Sequence, residues 1–373
     1  MLIITLVILF IVVAYAIVTF TNIPICITLR SLWIETAMTT ADHQWLATSL
    51  FPKSVIDEVM SLKVEDNGEV GITEIKDTQA DNKSNTNVII KNTDNVGNEA
   101  EELNDIDNID EPSEVNQSKN NIIQFSDDDD FGNEVILNDK NQGIKIVKIS
   151  TASYTGYLAF IDDPSRIFVE NTEYKGVKGE VICDFLDKYN AILGVNANGF
   201  MDPEGHGMGG DIIGSSISHG ELWSTDEFIK YTTIGFDDQN RLVVGKLDNY
   251  TDYNLRDAVQ FKPIIILNGE IYTEGSAGWG IQPRTIIAQR EDGVVMFLVV
   301  DGRKPGYSIG ITIGEAAEIL LKYGAVTAAA CDGGSSSVMA YDNAIVNIPS
   351  TPMTTGRYLP NALLVSKRTD TDN

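Results

Sequence analysis

Five short segments, each at the end of an apolar run, combine polar groups that can bind or transfer an anion. In CDGGSSSVMAYD, Cys331 to Asp342, the acid Asp332 is followed by Gly333, Gly334 and the hydroxyls of Ser335, Ser336 and Ser337. Glycines there let a ligand approach main-chain N–H groups, while acid and hydroxyls point polar atoms at one spot. The same stretch also reads as an ordinary strand-to-strand turn. In GVNANGFMDPEGHGMGGDIIG an apolar run stops at Asn196 and Asn198, whose carboxamides offer donors and acceptors to sugar hydroxyls, and His206 can move a proton near neutrality. A glycine-rich loop with Asx turns accounts for it equally well. Arg284 opens the strand-like QPRTIIAQR, where a guanidinium either grips carboxylate or phosphate through two bonds or makes a surface ion pair. Asp301 and Arg303 end the buried run in FLVVDGRKPG and either share a substrate or pair with each other. Arg357 and Asn361 stand just before the last apolar run in TTGRYLPNALLV.

Composition removes several other chemistries. A formal net charge of -27 argues against a nucleic-acid partner, which requires basic patches. Cys26, Cys183 and Cys331 are scattered without zinc spacing or a disulfide framework. The chain holds only three histidines and no G-x-S-x-G elbow, Walker loop, H-E-x-x-H or C-x-x-C, so serine-nucleophile chemistry is disfavoured. No cofactor is expected; acidic residues near the segments above could hold a divalent cation, but no ligand spacing names one. The run Asp127–Asp130 lacks the spaced ligands and glycine of a calcium loop and reads as a solvated charge run.

The elements that must position these groups fall into four stretches. Residues 1–22 begin with MLIITLVILFIVVAYAIVTF, which has no charged side chain, is long enough to cross a bilayer and lacks the basic leader and cleavage site of a signal peptide. An uncleaved anchor is the expectation. Residues 23–52 carry Trp33, Ile34, Met38, Trp45, Leu46 and Leu50 at helical spacing, as an amphipathic helix at the lipid surface would, with His43 as a surface residue. Residues 53–142 are rich in Asn, Asp, Glu and Ser and show no sustained period, so they read as an acidic disordered tether. Residues 143–373 alternate about a dozen strand-like runs with a few helical ones, notably EVICDFLDKYN and TIGEAAEILLKYG; in the latter Thr312 and Glu315 have capping-box spacing, so Glu315 reads as structural. The expected fold class is α+β, on a large mixed, mostly antiparallel sheet with a few packed helices.

Taken in order, NANGF, DPEGHGMGG, QPRT, VVDGR, the capped helix, CDGGSSS and GR followed by PNALLV resemble the phosphodiester glycosidase family over residues 143 to 367. The anchor and ETAMTTADHQWLATS resemble more loosely the front end of membrane-anchored bacterial members. The resemblance implies hydrolysis of a sugar 1-phosphodiester, typically of N-acetylglucosamine, at the anomeric carbon of a cell-surface polymer or glycolipid, with the C-terminal domain outside. It implies Asp332 and Asp301 as an acid/base or electrostatic pair, and Arg284 and Arg357 as phosphate contacts, with Arg303 a further candidate. Asn196, Asn198, Gly333, Gly334, Ser335, Ser336 and His206 would hold sugar and phosphate. The alternative is a non-catalytic module for anionic glycans, or an exopolysaccharide assembly factor. Three positions depart from the family pattern: Cys331 stands where an Asn is usual, Ala288 where a Gly is, and Asn361 where a Thr is common.

Overall fold

The run from Val295 to Val300, VMFLVV, is apolar without alternation because both of its faces are covered, as a central strand requires. Val295, Phe297 and Val299 enter one core, and Met296, Leu298 and Val300 enter a second on the opposite face. This strand lies inside an eight-stranded sheet, between Arg284–Arg290 and Thr155–Ile161. A five-stranded and a six-stranded sheet complete the fold, and every strand pairing among the described residues is antiparallel. The α+β reading holds, with the strands distributed over three sheets rather than one. The coordinates are a computed structural model that describes residues 2–40, 43–63, 69–76, 123–203, 207–223 and 231–369.

Six α-helices occur among the described residues. Helix α1 is Leu2–Phe20, α2 is Pro24–Met38, α3 is Trp45–Thr48 and α4 is Lys53–Ser61. Residues Ile3–Phe20 are apolar and long enough to cross a membrane. Pro24 starts α2, where its missing N–H has no helical partner to lose. Arg30 of α2 donates to the carbonyls of Val18, Thr19 and Thr21, at 3.1, 2.9 and 3.2 Å, placing a cation at the C-terminal end of α1. The apolar face of α2 does not lie free for lipid as its spacing suggests. Ile34 and Ala37 pack against Ala47, Ile56 and Val59, because α4 supplies a second amphipathic face within the stretch expected to be a tether.

The remaining helices cover sheet faces. Helix α5, Ile182–Lys188, packs Ile182, Phe185 and Leu186 on the five-stranded sheet. Helix α6, Ile313–Lys322, packs Ile313, Ala316, Ala317 and Leu320 on the eight-stranded sheet. Its capping box is formed: Thr312 Oγ1 accepts from the Glu315 N–H at 3.2 Å, and the Glu315 carboxylate accepts from the Thr312 N–H at 2.8 Å.

Order also extends into both margins of the expected tether. Val70–Ile72 pairs with Leu242–Gly245, and Glu134–Asp139 pairs with Ile144–Ser150. Asp129 is no solvated charge, since its carboxylate accepts from the N–H groups of Phe131 and Asn133 and from the Tyr323 hydroxyl. The stretch 77–122, where the tether composition is strongest, lies outside the described residues.

Candidate active site

Sheet register brings the polar strand ends to one edge. Arg284–Arg290 runs antiparallel to both of its neighbours, with Arg284 opposite Val300 and Ile286 opposite Ala330. The start of that strand therefore sits beside the ends of the other two, where Asp301 and Asp332 follow. In the five-stranded sheet, Asn196 closes Ala191–Asn196 opposite Ala362, and Val195 faces Met339 just past the serine turn. The two sheets meet through the Asp332 N–H, which donates to the Ala197 carbonyl at 2.9 Å.

The edge encloses a cavity of about 590 Å³, lined among others by Asp202, Arg284, Arg303, Asp332, Ser335 and Arg357. Gly333, Gly334 and Ser336 also line it. Asp332 is half-buried; loss of water pushes its carboxyl up to about 6, against the opposing pull of the Ser336 hydroxyl and the Arg357 charge. Arg284 is buried and donates through Nη2 to the carbonyls of Trp279 and Gly280 at 3.0 and 2.7 Å, and through Nε to Ile311. Burial, reinforced by the nearby Arg303 charge, pushes Arg284 down to about 9, which still leaves it cationic at neutral pH. Two guanidiniums held close in one cavity repel each other, and an anion between them relieves that repulsion.

The loop holding these arginines is gripped by α2. Thr36 Oγ1 accepts from the Ile281 N–H at 2.9 Å, and Gln282 Nε2 donates to the Thr36 carbonyl and Thr39 Oγ1 at 2.8 and 3.1 Å. Gln282 Oε1 in turn accepts from Arg303 Nε and Nη2 at 3.0 and 2.8 Å. Gly280, at φ +60°, is required here: a Cβ would lie 2.4 Å from the Thr36 backbone nitrogen. Thr39, Thr40 and His43 line the cavity. Sequence reasoning missed these residues, because nothing in the spacing of 36–43 distinguishes a helix end that docks on a site from one that faces lipid.

The remaining residues singled out in the sequence have other surroundings. Asn196 is fully buried and does not line the cavity. Its Nδ2 donates to the Asp332 carbonyl at 2.7 Å, and its Oδ1 accepts from Thr285 Oγ1 at 2.7 Å and the Val338 N–H at 3.1 Å. Asn198 donates to three carbonyls, of Ile213, Ser215 and Gln260, and exchanges bonds with Asn361. Asn361 thus ties the last strand to the loop that carries Phe200 and Asp202. Asp301 is 1% exposed and lies outside the cavity lining; it accepts from Tyr307 Oη and Asn347 Nδ2, both at 2.8 Å, and from the Ile348 N–H. Burial raises its carboxyl, and these three donors hold it against that rise. Cys331 is buried in the main core, where desolvation raises its thiol. His206 lies outside the described residues. Asp202, which DPEGHG placed beside the candidate residues without marking it as one, is the cavity's second carboxylate. Among the described residues no group of three or more His, Cys, Asp or Glu is gathered as a metal site.

A cavity that joins arginines, a carboxyl raised toward neutrality and a glycine-serine turn can hold an anionic group. The family model described as phosphodiester glycosidase matches residues 189–366. That segment, which includes Asn196, Arg284, Asp332 and Arg357, is thus similar to the phosphodiester glycosidase family. It is 26% identical over 180 residues to the SPbeta prophage-derived uncharacterized protein YomE of Bacillus subtilis (strain 168), a match covering 45% of this chain and 27% of that protein. The chain thus spans about a quarter of that relative's length. Its fold resembles the catalytic domain of zebrafish N-acetylglucosamine-1-phosphodiester alpha-N-acetylglucosaminidase, auto-inhibited by its pro-peptide. The TM-score is 0.51 at 19% identity, over 60% of this chain and 82% of that one.

Proposed function

We propose that the protein hydrolyses a sugar 1-phosphodiester at the anomeric carbon, with N-acetylglucosamine as the expected sugar. The observation that carries this reading is the presence of Asp332 in one cavity with Arg284, Arg303 and Arg357. Arg284 and Arg303 receive the phosphate, since the Gly334 N–H already donates to the Pro283 carbonyl and the Gly333 N–H to the Asp332 carboxylate. As the bond from C1 to the phosphate oxygen breaks, its electron pair stays on that oxygen, where guanidinium charge stabilises it. A phosphate monoester leaves readily as an anion, so one carboxylate suffices where most glycosidases use two. Water bonds to C1, and Asp332, ionised above about pH 6, accepts the proton that water loses. The products are the free sugar and the phosphate monoester of the remaining chain. Arg357 is already paired with Asp202, so it fixes the cavity wall and Asp332, while Arg284 and Arg303 meet the phosphate.

In this reading α1 anchors the protein in a membrane and the glycosidase domain works outside. The bonds that tie α1 to its neighbours, from Arg30 and from Tyr15 Oη to the Leu50 carbonyl, support a helix kept as part of the mature fold. Incubating the full chain in detergent with the methyl phosphodiester of N-acetylglucosamine 1-phosphate tests the reaction. Wild type should release free sugar and Asp332→Asn should not. Binding without release by wild type would make this a glycan-binding module.

A further inference from the structure

A second cavity, about 480 Å³, opens beside the first and shares Thr40, His43, Gln282 and Arg303 with it as common wall. Its character is different. Beyond those four residues its wall is chiefly apolar, formed by α2 through Leu29, Leu32 and Trp33 and by the opposite bank through Ile281, Pro305 and Ile309. Leu29, Trp33 and Ile309 are 55, 48 and 42% exposed, an apolar surface left open beside the face of α2 that packs Ile34 and Ala37. The groove follows the helix that leads directly from the apolar span of α1, and its other end meets the guanidinium of Arg303.

A ligand that fits both compartments has a sugar phosphate at one end and a hydrocarbon chain at the other. We propose that the group esterified to the sugar phosphate is a lipid, whose chain lies along α2 in this groove while its phosphate meets Arg303 and Arg284. The proposal rests on the phosphodiester reading above and narrows it from surface polymers to lipid-linked sugar phosphates. Continuity supports it on three sides: an apolar chain reaches the groove from a bilayer at α1, the groove receives it without polar cost, and the charged wall begins where a phosphate would. A polymer of sugars and phosphates would leave this apolar surface wet.

The test uses the full chain in lipid nanodiscs and the methyl, butyl and octyl phosphodiesters of N-acetylglucosamine 1-phosphate. Each methylene that leaves water for an apolar groove favours binding by about fourfold at best. We expect KM to fall at least tenfold from the methyl to the octyl ester. Leu29→Gln and Ile309→Gln, at exposed positions, should remove that gain while leaving kcat and KM for the methyl ester unchanged. Equal KM values across the series, or a gain that survives both variants, would overturn the lipid proposal with hydrolysis intact. Methyl and octyl phosphate, which cannot turn over, read the groove without chemistry by calorimetry against empty nanodiscs. Tighter octyl phosphate binding that is lost in the variants, with no ester hydrolysed, would keep the groove and sink the reaction. Failure of both arms would sink both.

Discussion

Arg357 holds Asp202 through both ends of its guanidinium, Nη1 to Oδ2 at 2.6 Å and Nη2 to Oδ1 at 2.9 Å, and Nη1 also reaches Ser335 Oγ at 3.1 Å. One planar group thus ties the loop after Phe200 to the serine turn that follows Asp332, and it stacks over the Phe200 ring at 4.7 Å. Fork geometry matters here, since an ammonium cannot make two parallel bonds and reach a third partner. Asp202→Ala and Arg357→Lys should each lower kcat/KM by about tenfold to a hundredfold, mainly through KM, as the wall loses its fixed shape. Steady-state kinetics on the methyl ester checks this. A fall confined to kcat would instead place the pair in the chemical step.

Asp332 gives a prediction in which activity and stability move in opposite directions. Its folded carboxyl titrates near 6, above the unfolded value, so between about pH 4 and pH 6 the folded state binds more protons than the unfolded one. Stability contributed by this group is therefore present at low pH and lost as pH rises through that window. Asp332→Asn should be inactive yet more stable than wild type by up to about 3 kcal/mol above pH 6, the difference shrinking toward zero near pH 4. Thermal melts of both proteins from pH 4 to pH 8 read the difference directly. A variant no more stable than wild type at pH 7 would mean that the carboxylate bears no desolvation cost. Wild-type kcat/KM should rise with pH through about 6.

Gly334 occupies the left-handed region at φ +62°, and a Cβ there would come within 2.9 Å of Arg303 Nη2. Gly334→Ala should cost about 1–2 kcal/mol of stability from the backbone alone. It should also displace the Arg303 guanidinium and raise KM for phosphodiesters. Chemical denaturation and kinetics together separate the two effects. An alanine variant with unchanged KM would remove Arg303 from the phosphate site.

Asp301→Asn tests the other acidic strand end. Its carboxylate accepts from Tyr307, Asn347 and Ile348, and a carboxamide nitrogen turned toward any of these donors leaves it unpaired. Destabilisation of about 1–3 kcal/mol is expected, with kcat for the folded fraction within a few-fold of wild type. Loss of turnover without loss of stability would return Asp301 to the chemistry.

VVDGR and CDGGSSS explain why the site was legible only in part. Both put an acid at the end of a buried strand ahead of glycine, and in sequence they are equivalent. What separates them is Tyr307, six residues on, and Asn347, far along the chain, which saturate Asp301 and leave Asp332 in the cavity. The paired asparagines were visible as unusual, yet Asn196 and Asn198 satisfy buried backbone groups rather than lining the cavity, a distinction that needs the neighbouring strands. Strands dominated by β-branched residues stand out in the sequence, as does the Thr312 capping box. Leu255–Phe261 did not, because LRDAVQF looks like a solvated stretch. Asp257 in it is buried, accepting from the N–H groups of Val169 and His219. Docking of α2 on the 279–282 loop had no sequence signal, since Gly280 differs from any turn glycine only by what lies against it.

The central claim is the bond that breaks. Hydrolysis of the methyl phosphodiester of N-acetylglucosamine 1-phosphate in water labelled with heavy oxygen, followed by mass spectrometry of both products, decides it. Attack at the anomeric carbon puts the label in the released sugar and leaves methyl phosphate unlabelled. Label in the phosphate would mean attack at phosphorus, and the roles given to Asp332 and the arginines would then be wrong.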